Sequence, residues 1–194
     1  MLSLSSQASA EPEQHSILVL GDSISAAYGI DLETGWVALL DDKLTRSHPS
    51  YHVINASISG DTTAGGLRRL PELLSRHQPA IVIIELGGND GLRGYPIKQL
   101  RQNIEQMAQL SQAQGARVLI LPMEIPPNLG KVYTDAFRQS FASAAESSGA
   151  HLGEFPLTDV ALDLNLMQRD GIHPTAAAQP LILERVWQSL EHLL

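Results

Sequence analysis

At 194 residues the chain is long enough for one domain with a substantial core and short for two. Its 21 acids against 13 bases leave a formal charge of -8, which sets nucleic acid and anionic membrane surfaces aside as main partners; the lack of cysteine removes disulfides, thiolate metal sites and a thiol nucleophile. Hydrophobic residues at 43% and charged residues at 18% are ordinary for a globular protein, and no apolar run approaches the roughly 20 residues of a membrane span.

The first fourteen residues, MLSLSSQASAEPEQ, carry a small-residue A-x-A pattern at Ala8-Ser9-Ala10 before Glu11, like the end of a secretory signal, without its basic start or long apolar middle. A signal remnant and a disordered polar terminus both fit. Residues 15–194 read as a single domain. The unbroken apolar run Ile17-Leu18-Val19-Leu20 predicts a strand covered on both faces in a parallel sheet, stopped by Gly21-Asp22-Ser23. A serine on a sharp turn above a sheet edge is where hydrolases often put a nucleophile. The spacing is not that of the G-x-S-x-G elbow, because Ser25 stands where the second glycine belongs, and Asp or Ser after a strand also commonly caps a helix.

Helical stripes follow at Trp36, Val37, Leu39, Leu40 and Leu44, then at Leu67, Leu70, Leu73 and Leu74 between Thr62 and His77, then at Ile97, Leu100, Ile104, Met107 and Ala108 between Pro96 and Gln114. A fourth helix fits Tyr133 to Ser148, closed by Gly149, and a fifth fits Thr175 to Leu193 with Leu181, Val186, Leu190 and Leu193 facing inward. Strand-length apolar runs lie between them at Val53-Ile54, Ala80 to Leu86 and Val118 to Leu121, with a weaker one at His151 to Phe155. This alternation predicts an α/β fold with a parallel sheet and right-handed crossovers.

In such a sheet ligands bind outside the carboxyl ends of the strands. Three post-strand loops fall there: Gly21-Asp22-Ser23, Ser57 to Thr63 and Gly87-Gly88-Asn89-Asp90-Gly91. Gly60 has no side chain to block a substrate, so its N–H suits a developing oxyanion, and Asn89 can add an amide donor; turns also use both residue types for their own sake. Neither nucleotide-binding glycine pattern is present. Ahead of the last helix, Pro174 fits a first helical turn and biases His173 to an extended backbone, while Asp170 can turn back toward the imidazole, as a hydrolytic triad requires. A capping Asp with an exposed His, or half a metal site, would look the same, although no second cluster with ligand spacing accompanies it. The other six histidines are scattered.

Taken in order, GDSIS, SGDTTAGGLRRLP, ELGGNDGLRG and DGIHP resemble the four blocks of the GDSL, or SGNH, hydrolase superfamily, and residues 17–194 further resemble its bacterial thioesterase I, lysophospholipase and arylesterase branch. The resemblance implies a three-layer α/β/α sandwich, flavodoxin-like, with a five-stranded parallel sheet in the order 2-1-3-4-5. It implies Ser23 as nucleophile, Asp170 and His173 completing the triad, and an oxyanion hole from Ser23, Gly60 and Asn89. No cofactor or metal is expected. Acyl thioesters, aryl esters and lysophospholipids are the implied substrates, cleaved through an acyl-enzyme; the family's usual export implies the periplasm or the cell exterior, with the cytoplasm as the alternative, and a monomer is expected. Ala27 departs from the glycine some members carry, which leaves the chemistry intact and alters packing beside Ser23. Asp22, Leu92, Arg93 and Leu129 are candidate substrate contacts, the last three on post-strand segments at the same end of the sheet. The rival readings are a carbohydrate acetylesterase with the same residues, and a non-catalytic lipid- or glycan-binding module.

Overall fold

A computed structural model describes residues 14–194; the Ala8-Ser9-Ala10 pattern lies outside the described residues. Five parallel strands form one sheet in the order β2-β1-β3-β4-β5: β1 His15–Gly21, β2 Tyr51–Asn55, β3 Ile81–Glu85, β4 Arg117–Ile120 and β5 His151–Leu152. β1 sits at the centre, with Ile17 in register with Val53 on one side and Ile81 on the other. Residues Ile17 to Leu20 are completely buried, because helices cover both faces of the sheet. Full burial of side chains of this kind is worth roughly 1.5–3 kcal/mol each, so the central strand anchors whatever follows it.

The helices are α1 Trp36–Ser47, α2 Thr63–His77, α3 Gly88–Leu92, α4 Ile97–Ala113, α5 Lys131–Ser148 and α6 Gln179–Leu190. From β1 to β2 the chain steps one way across the sheet, and from β2 onward it steps the other way. Right-handed crossovers therefore put α1 on one face and α2, α4 and α5 on the other. The packing agrees: α1 lies against α6, α2 against α4, and α4 against α5. Strand direction of travel reverses between β1 and β3, and the crevice opens there, at the carboxyl ends.

Four expectations differ in detail. The weak run at His151 to Phe155 supplies only two strand residues, with Gly153 N–H making a last bond to Ile120 O at 2.9 Å. Residues Gly88–Leu92, read as part of a loop, wind into a short helix that a sequence of glycine and short polar residues does not advertise. The last helical segment divides into 3₁₀ turns at Ala176–Ala178 and Glu191–Leu193 around α6, and Pro174 precedes them in an isolated bridge to Met167 rather than in the first helical turn. Finally, Leu181, expected to face inward, is 44% exposed and Ile182 is buried in its place, while Val186, Leu190 and Leu193 are buried as expected.

Candidate active site

Gly21 closes β1 where no side chain fits: a Cβ there would lie 2.7 Å from Ser25 Cβ and 2.8 Å from Glu85 Oε2. Beyond it the chain coils at once, with Ala26 N–H donating to Asp22 O at 2.9 Å and Tyr28 N–H to Ser23 O at 3.1 Å. Asn55 Nδ2 donates to Ser25 O at 2.9 Å and ties the coil to the end of β2. Ser23 thus stands half-buried on the first turn above the central strand. Ala27 takes φ +55°, a left-handed backbone that explains why glycine is suited to this position, and its methyl lies against Gly35.

The segment from Asp170 to Pro174 carries the candidate base. Asp170 Oδ1 accepts the N–H groups of Ile172 at 2.9 Å and His173 at 3.0 Å, and Oδ2 faces His173 Nδ1 at 2.7 Å. His173 Nε2 lies 2.9 Å from Ser23 Oγ. With Nδ1–H donated to the carboxylate, Nε2 is left as the acceptor for the serine hydroxyl. The His173 side-chain bond, then the two backbone bonds, hold the Asp170 carboxyl down to about 2, so it stays ionised. Gln168 straps the two segments together, since Nε2 donates to Tyr28 O at 2.8 Å and to Pro174 O at 2.9 Å. The Tyr28 ring sits 4.4 Å from the imidazole, centroid to centroid.

On the opposite side of Ser23 lie the candidate oxyanion donors. Ile58 N–H donates to Gly21 O at 3.0 Å, bringing the post-β2 loop beside the serine turn. Gly60 has φ +80°, which favours glycine, and its carbonyl accepts from Arg93 Nη2 at 3.0 Å. Asn89 Nδ2 donates to Asp22 Oδ2 at 3.0 Å, leaving its second amide hydrogen available. The N–H groups of Ser23 and Gly60 find no acceptor among the described residues. A buried clamp sets the two loops relative to one another: Asp90 accepts from Thr63 N–H at 2.9 Å and from Thr63 Oγ1 at 2.6 Å, and Asn103 Nδ2 on α4 donates to Thr63 Oγ1 at 2.9 Å.

Ser23, Asp170 and His173 are thus joined in one hydrogen-bonded line, and Asn89 reaches the serine turn through Asp22. Asp22, expected among the substrate contacts, is only 2% exposed and turns its carboxylate to Asn89 and to Ile24 N–H, so it supports the turn instead. Arg93 reaches Gly60, whereas Leu92 and Leu129 are exposed. A cleft of about 460 Å³ is bounded by Leu129, Ile97, Val132, Tyr133 and Ala136; Tyr133 Oη donates to Tyr95 O at 2.9 Å, so the cleft adjoins the Gly91–Pro96 loop, though Leu92 is not in its wall. Among the described residues no cluster of three or more His, Asp or Glu could hold a metal ion.

Two residues next to this line escaped the sequence reading. Tyr28 carried no signal, since one exposed aromatic in a turn is ordinary. Glu85 did: an acid ending a fully buried strand is rare, and burial, then the neighbouring Asp22 charge, pushes its carboxyl well above the usual range.

Residues 19–180 match the GDSL-like lipase/acylhydrolase family. The chain is 51% identical to esterase TesA of Pseudomonas aeruginosa over 191 residues, covering 98% of this chain and 93% of that protein. It is 43% identical to thioesterase 1/protease 1/lysophospholipase L1 of Escherichia coli over 178 residues, covering 92% of this chain and 84% of that protein. A crystal structure of TesA superposes with a TM-score of 0.90 at 52% identity, covering 93% of this chain and all of that one.

Proposed function

The chain belongs to the GDSL-like lipase/acylhydrolase family, a serine hydrolase acting on esters and thioesters, and from that premise we propose that Ser23 is its nucleophile. Ser23 Oγ attacks the acyl carbonyl as its proton passes to His173 Nε2, and the Asp170 carboxylate stabilises the imidazolium. The tetrahedral oxygen is met by the N–H groups of Ser23 and Gly60 and by Asn89 Nδ2. His173 then protonates the leaving alcohol or thiol, and an activated water releases the acid. The observation that carries this reading is the pair of contacts at the imidazole, 2.7 Å to Asp170 and 2.9 Å to Ser23. Ser23→Ala should abolish hydrolysis of p-nitrophenyl esters and labelling by a fluorophosphonate without unfolding the protein, because the hydroxyl supports no core contact. Retained turnover would remove Ser23 from the mechanism.

The Leu129-lined cleft supports a longer acyl chain over the acetyl group of a carbohydrate esterase, with Leu92 and Arg93 on the adjoining loop as further contacts. Comparing acetyl with octanoyl p-nitrophenyl esters separates the two. No helix of the described residues is long and apolar enough to cross a membrane. Periplasmic export of a monomer is the placement we propose from the Ala8-Ser9-Ala10 pattern; fractionation of the full chain and its elution volume test both halves.

A further inference from the structure

Glu85 is the only acid in the five strands, completely buried at the end of β3. Its Oε2 faces Ser25 Oγ at 2.6 Å and accepts Asp22 N–H at 3.4 Å, while Oε1 has no partner among the described residues. The Asp22 carboxylate, itself buried, stands on the same turn. Ionised, Glu85 would leave one charged oxygen bare in the core and set a second negative charge against Asp22. Uncharged, it keeps both contacts without either cost. Other charges near the pair are committed elsewhere: Arg69 on α2 is paired to Asp61 at 2.8 Å and reaches the Gly21 carbonyl, and His173 lies beyond Asp22 with Asp170.

We propose that Glu85 is a positioning residue for the nucleophile: as an uncharged carboxylic acid it grips Ser25 and the Asp22 backbone from beneath, and so fixes where Ser23 and, through Asp22, the Asn89 amide point. This rests on the assignment of Ser23 made above. Glu85 touches no reacting atom; a turn displaced by about 1 Å is enough to lower turnover a hundredfold.

The direction of the shift defines a test by linkage. The folded protein keeps the Glu85 proton above the ordinary 4.5, whereas the unfolded chain releases it, so this group's contribution to stability is full below 4.5 and declines as pH rises toward its folded value. Glu85→Gln is an uncharged isostere without that loss. Between pH 5 and pH 8 its melting temperature should gain on wild type, levelling off where the folded carboxyl ionises, with kcat at pH 7 within about threefold of wild type, while Glu85→Ala should lose kcat by about tenfold or more with KM little changed. A melting gap that is flat across this range, a Gln variant as impaired as the Ala variant, or an Ala variant with full kcat would each overturn the proposal. The melting comparison does not involve Ser23, so failure of the nucleophile assignment, read from Ser23→Ala, is distinguishable. If Glu85→Ala does not fold, the Gln variant alone decides.

Discussion

Asn89 commits one amide hydrogen to Asp22 and leaves the other available, so in the proposed oxyanion role its contribution should grow as charge develops on the substrate oxygen. Asn89→Ala should lower kcat by about 10²- to 10³-fold with KM little changed; a melting loss with kcat intact in the folded fraction would reduce Asn89 to a turn residue. In the proposed triad Asp170 acts differently, through the imidazole. Asp170→Asn should cost about 10⁴-fold in kcat because the amide favours the wrong tautomer. Because the folded carboxyl sits near 2 and the ordinary one at 3.8, the wild type's Asp170 contribution is present above pH 4 and lost as pH falls to 2. The melting temperature of Asp170→Asn should therefore fall less steeply than wild type over that interval. Ser23, Gly60, Asn89, Asp170 and His173 were legible because each sits in a short, chemically specific motif. The inward turn of Asp22 was not, since adjacent residues on a tight turn face opposite ways and only the bond to Asn89 settles which.

Elements were legible where periodicity was long and unbroken, as in α2, α4 and α5, and at Gly149, whose left-handed backbone closes α5 as expected. The first turn of α6 was not, because Gln179 turns inward to accept Trp36 N–H at 2.9 Å and pins the start of the helix through a polar contact that hydropathy does not reveal. The inward place of Ile182 is checked by a pair of substitutions: Ile182→Ala should lose about 2–5 kcal/mol in denaturant unfolding, and Leu181→Ala should change little. Equal losses would mean that α6 is rotated. For the segments above the sheet, Leu129→Ser should weaken octanoyl esters more than acetyl esters, by about 0.8 kcal/mol for each methylene it covers, and Leu92→Ser should do so less, being outside the cleft wall. Matched losses on both esters would place the chain elsewhere.

Across the whole molecule the strand order was expected from the resemblance, and the structure places every post-strand segment at one edge of the sheet, as parallel strands require. The two members of the Ser23–His173 pair lie 150 positions apart, at opposite ends of the described chain. Local helices and the early β1–β3 pairing can form before that distance is closed, whereas the reactive pair must wait for the final segment to dock beside the first turn. In refolding from denaturant, secondary structure should return ahead of fluorophosphonate labelling; simultaneous recovery would show that the ends meet as early as the sheet does. The same separation governs synthesis: a nascent chain can shelter its central strands while still tethered to the ribosome, yet in the proposed mechanism it stays inert toward esters until Asp170 and His173 have emerged.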